Sequence, residues 1–213
     1  MWHRLASLFH FSRRGMAAPM NTRLTGRRVF LRMGDPADWA EWRSLRETSR
    51  EFLVPWEPSW PPNALTYNFF CGLLRRQWRD WRKGHGYAFF IFLQAPEGQA
   101  PKLIGGITLS DIRKGIAQKG TLGYWIGQTY AGQGYMTEAA GLLCEFAFKN
   151  LRMHRLEASC LPHNEASINL LRRLGFEEEG YAKAYLQING RWEDHILWGK
   201  MNPNSVLNRI LPT

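Results

Sequence analysis

Two glycines stand where a strand-like segment passes into a helix-like one. Residues 124–139 read YWIGQTYAGQGYMTEA, and Gly132-Gln133-Gly134 forms the turn between the two segments. Backbone N–H groups of such a turn, together with those of the first helical turn, converge on one place and bind an anion. Glycine suits this turn because a Cβ would keep phosphate oxygens away from the backbone. The segment therefore predicts a diphosphate site.

A glycine turn of this length is weak evidence by itself, because any tight strand-to-helix connection also uses glycine. The dinucleotide pattern GxGxxG is absent, since residue 137 is Thr, and the phosphate-loop pattern GxxxxGK[ST] does not occur. The turn therefore indicates neither a dinucleotide-binding fold nor a phosphate loop.

A second polar segment follows about 30 residues after the turn, at residues 164–176. Asn164 is placed to cap a helix, and Ser167 lies one turn inside it. Ile168 and Leu171 of that helix are expected to face the core. Without the first segment, this stretch indicates only a capped amphipathic helix.

The elements that must position these two segments follow from periodicity and turn residues. Asp35 followed by Pro36 predicts a helix start, and the Pro-rich stretch 52–62 predicts an aromatic loop without regular helix. Asn189-Gly190 predicts a hairpin turn. Strands are predicted at 28–33, 86–94, 102–112, 121–127, 155–161, 176–187 and 191–201, and helices from Asp35, at 64–82 with Asn63 as cap, at 137–150 and at 164–174.

This order of elements predicts a mixed α/β fold, of the α+β kind. We expect a mixed, mostly antiparallel central sheet with helices on both faces. The connection from Gly127 to Arg155 allows a right-handed crossover, so the strands at 121–127 and 155–161 are expected to be parallel.

Charge is spread unevenly along the 213 residues, whose net charge is +10. Residues 1–34 contain seven arginines and no Asp, Glu or Lys, which leaves 21 basic and 18 acidic residues, or +3, for the rest. Residues 1–24 are therefore expected to be a flexible basic arm, 25–201 the folded domain and 202–213 a tail. The domain alone gives little support for nucleic-acid binding.

The spacing of the cysteines and the hydropathy pattern narrow the class of protein further. Cys71, Cys144 and Cys160 are scattered, with neither a metal-ligand spacing nor a disulfide framework. No apolar run approaches the roughly 18–20 residues of a membrane-spanning helix, and the N-terminus lacks a signal-peptide pattern. The expectation is a cytoplasmic protein without a metal.

Together, the two polar segments and several further motifs resemble the GNAT superfamily of acetyl-CoA-dependent N-acetyltransferases. Within it, the chain is most similar to the ribosomal-protein N-acetyltransferases that modify N-terminal Ala or Ser. The resemblance covers about residues 25–201. The motifs that carry it are PWEP (55–58), GYWIG (123–127), GQGYMTEA (132–139), CEFAF (144–148), HRLEA (154–158), PHNEAS (162–167), LRRLGFEEEGYA (171–182) and GRWEDH (190–195).

The resemblance implies a V-shaped slot between two parallel strands that holds the pantetheine of acetyl-CoA. It places the backbone amide of Ile126 against the thioester carbonyl, and Gly134 at the central glycine of the family's R/Q-x-x-G-x-G/A turn. Ala131 and Met136 depart from the ends of that pattern, which puts one side-chain contact in doubt. The implied cofactor-binding positions are Ile126, Ala131, Gly132, Gln133, Gly134, Tyr135, Met136, Thr137, Asn164 and Ser167.

The implied reaction is direct attack of a neutral amine on the thioester. An N-terminal α-amine has a pKa of about 7.7–8.0, so a carboxylate acting through water suffices as base. Many superfamily members have a Tyr that acts as general acid where this chain has Leu171. Ser167, or else Tyr185, is therefore the candidate proton donor to the leaving thiolate. The candidate catalytic residues are Ser167, Glu57, Glu157 and Ile126, and the candidate substrate-binding residues are Trp56, Glu57, Tyr185 and Asp194, with Asp194 a further candidate base.

Three functions stay open at this stage. The leading hypothesis is an N-α-acetyltransferase acting on a protein N-terminus, with a small-subunit ribosomal protein as partner and a ribosome contact through the basic arm. The second keeps the fold and changes the acceptor to a small amine such as an antibiotic or a polyamine. The third is a ribosome- or RNA-binding module with a degenerate CoA site, suggested by the arginine-only arm and by Leu171. The chain is expected to be a monomer or a homodimer.

Overall fold

Eight strands form one sheet in the computed structural model, which describes residues 17–203. In space the strands follow the order β1-β2-β3-β4-β5-β6-β8-β7. Their bounds are β1 Arg23–Thr25, β2 Val29–Arg32, β3 Tyr87–Leu93, β4 Lys102–Arg113, β5 Lys119–Ile126, β6 Arg155–Cys160, β7 Glu177–Ile188 and β8 Arg191–Met201.

Helices pack on both faces of this sheet, as predicted. On one face, buried Leu143 and Leu171 join a core that includes strand residue Leu156. On the other face, the rings of Trp42 and Phe70 lie 4.9 Å apart and pack near Phe90. The helices are α1 Trp39–Thr48, α2 Arg50–Leu53, α3 Tyr67–Lys83, α4 Tyr135–Lys149 and α5 Glu165–Arg173, with short 3-10 turns at Pro36–Asp38, Val54–Trp56 and Gln128–Tyr130.

The strand pair β5–β6 is parallel, and every other neighbouring pair in the sheet is antiparallel. The parallel pairing runs only from Lys119 opposite Arg155 to Thr121 opposite Glu157. From there β5 continues to Ile126 and β6 to Cys160 without pairing to each other. The two strands therefore diverge toward their carboxyl ends, which confirms the predicted splayed parallel pair.

The start of the first helical segment is also confirmed. Asp35 accepts a hydrogen bond from Ala37 N at 2.9 Å, and Asp38 accepts one from Asp35 N at 2.8 Å. Pro36 occupies the first helical position, where its missing N–H costs nothing. This capping box directs α1 so that Trp42 and Leu45 are buried.

Two predicted boundaries are wrong. Residues 50–56 are helical. Pro55 does not prevent this, because it lies near the start of a 3-10 turn, a position where proline is tolerated. The helix predicted from residue 64 begins at Tyr67 with Thr66 as its cap. Asn63 instead supplies its carbonyl oxygen to Thr66 N at 3.0 Å, which closes a turn before the helix.

The described part of the predicted N-terminal arm lies against the domain. Residues 23–25 form β1, which the sequence analysis missed, and the Arg23 guanidinium lies 3.5 Å from the centroid of the Phe30 ring. Trp81 Nε1 donates to Ala18 O at 2.7 Å. Four of the seven N-terminal arginines thus fall within the described residues, while 1–16 and 204–213 lie outside them. Within residues 17–203, no helix is long and apolar enough to cross a membrane.

Candidate active site

The diverging ends of β5 and β6 leave a slot whose wall on one side is the edge of β5. Gly127 N donates to Ile104 O at 2.9 Å, so these two residues form a hydrogen-bonded pair of the antiparallel β4–β5 ladder. Hydrogen-bonded and non-hydrogen-bonded pairs alternate in such a ladder. Ile126, opposite Gly105, is therefore a non-hydrogen-bonded position, and its N–H points away from β4 and into the slot.

The glycine turn stands at the carboxyl end of β5, beside this slot. Gly132 and Gly134 have φ angles of 73° and 80°, in the left-handed region that favours glycine. A Cβ on Gly132 would meet nothing within 4 Å, so the space in front of the turn is open. Gly134 is the N-cap of the 15-residue helix α4 and provides no capping side chain. The backbone N–H groups of the first turn are therefore free to bind the diphosphate of a CoA molecule.

Arg28 supports the turn, and the sequence analysis missed it. Its Nη1 donates to Gln133 O at 3.0 Å, and its Nε donates to Glu138 Oε2 at 3.0 Å. Its guanidinium also lies 4.7 Å from the centroid of the Tyr135 ring. Arg28 and Glu138 are 110 positions apart, so no local pattern indicates their contact.

Glu138 places a carboxylate in the first turn of α4. Burial opposes its ionisation, but hydrogen bonds from Arg28 N, from the Arg28 side chain and from Val29 N and Arg27 N together hold its pKa below the ordinary value. Arg28 forms an ion pair with this carboxylate, so the negative charge of Glu138 next to the anion site is neutralised. The amides of the turn therefore face an incoming diphosphate without an unpaired carboxylate at that point.

Helix α5 carries the second polar segment to the slot. Asn164 Oδ1 accepts a hydrogen bond from Ser167 N at 3.0 Å, which confirms Asn164 as the helix cap. Ser167 Oγ lies 2.8 Å from Tyr124 Oη, and either hydroxyl can donate. Residue 171 of this helix is a leucine that is fully buried in the core, so the helix has no hydroxyl group at that position.

Tyr124 is a second residue that the sequence analysis did not select for chemistry. Burial raises its pKa far above the ordinary value, the hydrogen bond with Ser167 opposes that rise, and the Cys160 thiol adds to it. The phenol is therefore protonated at every physiological pH. A protonated phenol that donates to Ser167 Oγ leaves the serine hydrogen free to point elsewhere. The signal in the sequence was the position of Tyr124 two residues before Ile126 on β5, with the same side-chain direction.

The aromatic loop lies over the wide end of the slot. The Trp56 ring lies 5.5 Å from the His163 ring, which follows β6, and Asn189 N of the β7–β8 turn donates to Glu57 O at 2.9 Å. The loop therefore contacts both the end of β6 and the β7–β8 hairpin.

The Glu57 carboxylate is fully engaged inside this loop. Arg46 donates to its two oxygens at 2.7 and 2.6 Å, and Trp60 Nε1 donates to Oε2 at 2.8 Å. The Arg46 guanidinium lies between the rings of Trp60 and Trp125, at 4.1 and 4.8 Å from their centroids. This geometry favours an anchoring role for Glu57 over that of a free base.

Glu157 lies at the narrow end of the slot, opposite Thr121, where the parallel pairing stops. Its carboxylate pairs with Lys119 Nζ at 2.5 Å and with Arg155 Nε at 3.3 Å. Both ion pairs occupy the Glu157 carboxylate, Lys119 at Oε2 and Arg155 at Oε1. The Glu157 side chain therefore belongs to an ion-pair cluster with Lys119 and Arg155.

Asp194 and Tyr185 lie on the irregular part of the β7–β8 pair. Asp194 accepts hydrogen bonds from Ala184 N and from the Tyr181 hydroxyl, both at 2.8 Å. The Ala184 N–H, followed by the Tyr181 hydroxyl, lowers the pKa of Asp194 despite some burial. The Tyr185 ring is 45% exposed and lies 5.7 Å from the buried His195 ring. Asp194 thus shapes the bulge that exposes Tyr185.

Two cavities accompany these features. One of about 550 Å³ lies at β1, β2 and Trp78, on the opposite edge of the sheet from the slot. The other, of about 420 Å³, lies between the aromatic loop, the end of β6 and the β7–β8 hairpin. Among residues 17–203, no group of three or more His, Cys, Asp or Glu side chains is placed to hold a metal ion.

Comparison with known proteins agrees with this geometry. The acetyltransferase (GNAT) domain family matches residues 28–177. The [ribosomal protein uS5]-alanine N-acetyltransferase of Escherichia coli is 35% identical over 184 residues, which cover 85% of this chain and 92% of that protein.

Two solved structures share the fold along most of their length. The ribosomal-protein-S5-alanine acetyltransferase of Vibrio fischeri has a TM-score of 0.77 and 30% identity, covering 86% of this chain and 98% of that one. Mycobacterium smegmatis RimJ, solved in complex with CoA-disulfide, has a TM-score of 0.79 and 26% identity, covering 86% and 89%. The chain therefore belongs to the GNAT family and is an acetyl-CoA-dependent N-acetyltransferase.

Proposed function

We propose that this enzyme acetylates the N-terminal α-amine of a protein, with a ribosomal protein that begins with Ala or Ser as the leading substrate. The observation that carries the proposal is the 35% identity, over 85% of the chain, to an enzyme named for the alanine of ribosomal protein uS5. The aromatic loop supports it, because Pro55 of this loop and Asn189 of the β7–β8 turn line an opening at the wide end of the slot. An extended chain terminus fits such an opening better than a folded surface does.

Acetyl-CoA supplies the thioester that the acceptor amine attacks. The backbone of Gly132–Thr137 is proposed to hold its diphosphate, with Arg28 keeping the turn in place through Gln133 O. The Ile126 N–H is proposed to donate to the thioester carbonyl oxygen and to stabilise the negative charge that develops there. Ala131, Tyr135, Met136 and Asn164 complete the proposed lining around the cosubstrate.

Ser167 is proposed as the donor to the departing sulfur. As the neutral amine nitrogen bonds to the carbonyl carbon, it releases one N–H proton to water and the carbon–sulfur bond breaks. The departing sulfur takes the Ser167 proton, and water returns a proton to Ser167. Tyr124 is proposed to position Ser167 by donating to its Oγ, so that the serine hydrogen faces the slot. This arrangement replaces the tyrosine that many relatives carry where this chain has Leu171.

The acceptor amine is proposed to lose its proton to water. With a pKa of about 7.7–8.0, an α-amine has a sizeable neutral fraction at pH 7, so no strong base is needed. The ion pairs of Glu57 with Arg46, and of Glu157 with Lys119, leave both carboxylates with structural roles in this scheme. Trp56, Tyr185 and Asp194 are proposed to lie along the path of the acceptor chain.

Mass spectrometry of peptides incubated with acetyl-CoA tests the proposal. Peptides that begin with Ala or Ser should gain one acetyl group at the α-amine, and the same peptides with a blocked α-amine and a free lysine should gain none. Aminoglycosides and polyamines serve as competing acceptors in the same assay. Acetylation of these small amines without any peptide product overturns the proposal. Calorimetry with acetyl-CoA excludes the RNA-binding alternative if the cosubstrate binds.

A further inference from the structure

The 420 Å³ cavity opens beside the wide end of the slot. Leu161 and His163 line it and follow directly after β6, which ends at Cys160. Pro55 of the aromatic loop forms another wall, and Ile188 of the β7–β8 hairpin a third. The volume lies within the range of about 300–1,000 Å³ that small ligands occupy in proteins. The cavity therefore has the place and the size to receive the end of an acceptor chain.

Among residues 17–203, Glu193 on β8 is the one carboxylate residue that lines this cavity. The three carboxylates predicted as candidate bases are occupied: Glu57 by Arg46, Glu157 by Lys119 and Arg155, and Asp194 by Tyr181 and Ala184. In the part of the chain that the structure describes, the Glu193 side chain has neither an ion pair nor a hydrogen bond. Its backbone oxygen lies 3.0 Å from His195 Nδ1.

The rest of the lining is compatible with a peptide. Arg191 also lines the cavity, and its exposed guanidinium forms no ion pair with Glu193 within the described chain. Asn189 at the hairpin turn also lines the cavity, and asparagine carries an amide that can both donate and accept. A half-buried carboxylate with amide and guanidinium donors nearby matches a chain terminus, which presents an ammonium followed by peptide carbonyls.

We propose that Glu193 binds the α-ammonium of the acceptor and that this cavity holds the acceptor's first residue. The inference rests on the proposed function and names the site at which its substrate is recognised. The ammonium form predominates at neutral pH because the α-amine pKa is about 7.7–8.0, so a carboxylate at the entrance captures the form that is present. The captured amine loses its proton to water before attack.

Steady-state kinetics of Glu193→Gln with an Ala-starting peptide tests the inference. At saturating acetyl-CoA, KM for the peptide should rise about tenfold, the effect expected for losing one charge-assisted hydrogen bond at a half-buried site. kcat should change less than about twofold, a change too small for a lost catalytic group, and KM for acetyl-CoA should stay the same. Glu193→Asp, which keeps the charge, should recover part of the lost affinity.

A blocked product and a matched variant isolate the charge effect. The same peptide with an acetylated α-amine has no ammonium, so its inhibition constant should be equal for wild type and Glu193→Gln. Glu97→Gln removes an exposed carboxylate in the turn between β3 and β4, and should leave both KM values unchanged. Equal melting temperatures for the variants establish that the fold is intact.

The failure of the inference is distinguishable from the failure of the proposed function. If wild type acetylates the peptide and Glu193→Gln has the same peptide KM, the assignment of Glu193 is overturned while the function stands. If wild type acetylates only a polyamine, the proposed function is overturned. The KM for the polyamine, compared between wild type and Glu193→Gln, then tests whether Glu193 binds an ammonium group. An unchanged polyamine KM overturns that site as well.

Discussion

The two halves of the candidate site are built by different means. At the start of α4, the groups that face the anion site are backbone N–H groups, made available by positive φ angles at Gly132 and Gly134. Around the aromatic loop, the site is formed by side chains. These are the Arg46–Glu57 ion pair, the Trp60 and Trp125 rings next to Arg46, and the Trp56–His163 contact. Backbone groups suit a ligand that never changes, whereas side chains allow the acceptor to differ between relatives.

The two halves also differ in how far apart their residues lie in the sequence. The turn and its helix lie within residues 124–139, so a short pattern describes them. The acceptor side brings together α1, the 54–56 turn, the end of β6 and the β7–β8 hairpin. If this comparison is right, damage to the turn should abolish cosubstrate binding, and damage to the loop should spare it.

Gly134→Asp should have the largest effect. The substitution adds a carboxylate beside the diphosphate at a φ of 80°, with its Cβ 3.2 Å from Arg28 Nη2. Affinity for acetyl-CoA should fall on the order of 100-fold, or about 2.7 kcal/mol, as measured by calorimetry. Gly141→Asp makes the same change within α4, where an added Cβ meets nothing within 4 Å, and should leave binding unchanged. Normal affinity in Gly134→Asp means that the turn is only a connection.

Arg46→Ala should separate the two halves most clearly. The side chains of Arg46 and Glu57 are only 13% and 19% exposed, so removing the cation leaves a mostly buried, unpaired carboxylate. The free energy of unfolding should fall by about 3 kcal/mol in urea denaturation. Peptide KM should rise while acetyl-CoA affinity stays within about twofold, since backbone groups supply that affinity. Equal losses of both affinities contradict the division into two halves.

Ser167→Ala should lower kcat by about 100-fold, the lower end of what a positioned proton donor contributes, with a smaller change in acetyl-CoA affinity. Tyr124→Phe should lower kcat less. The double variant should be no slower than Ser167→Ala, because the phenol acts through the serine hydroxyl. Additive effects of the two substitutions contradict a positioning role for Tyr124.

Acid should weaken the support of the turn through Glu138. Its folded-state pKa is lower than its ordinary value of 4.5, so its contribution to stability is present above that value and is lost as the pH falls through the folded-state pKa. The difference in unfolding free energy between wild type and Glu138→Gln should therefore be constant near pH 7 and shrink below about pH 4. A difference independent of pH contradicts the paired charge.

Deletion of residues 1–16 should have the smallest effect on catalysis. The described contacts of the candidate site begin at Arg28, so peptide turnover and acetyl-CoA affinity should stay within about twofold, the scale of a few tenths of a kcal/mol. The deletion removes three arginines, and salt-sensitive binding of the enzyme to ribosomes should weaken if this segment makes that contact. Unchanged ribosome binding contradicts the ribosome contact that the sequence predicts for the basic arm.

Much of the fold could be predicted because its signals are local. Asp35 with Pro36, the apolar run 86–94, Asn164 and Asn189-Gly190 each specify an element within a few residues. Prediction failed where one local signal competed with another. Asn63 is a good cap residue, but Thr66 caps α3, and Pro55 is compatible with a 3-10 turn as well as with a loop.

The site was predicted unevenly for the same reason. The glycine turn and Ser167 belong to short motifs, and the structure brings them to one slot with Ile126. Arg28, Tyr124 and Glu193 were missed, because their significance depends on partners or cavities formed by distant parts of the chain. Carboxylates named from motifs, Glu57 and Glu157, already have cationic partners.

The sequence by itself determined the order of most elements, with β1 and α2 as the exceptions, the acetyltransferase family and the backbone turn for an anion. The order of elements and the turn depend on capping, periodicity and glycine conformations, which act between residues close in the chain. The family follows from the resemblance of short motifs to those of known acetyltransferases. Only the tertiary structure decided which carboxylates are neutralised and which one faces a cavity unpaired. Ion pairing depends on distance in space, and the partners Arg46 and Glu57, Lys119 and Glu157, and Arg28 and Glu138 meet only after the sheet and helices have assembled.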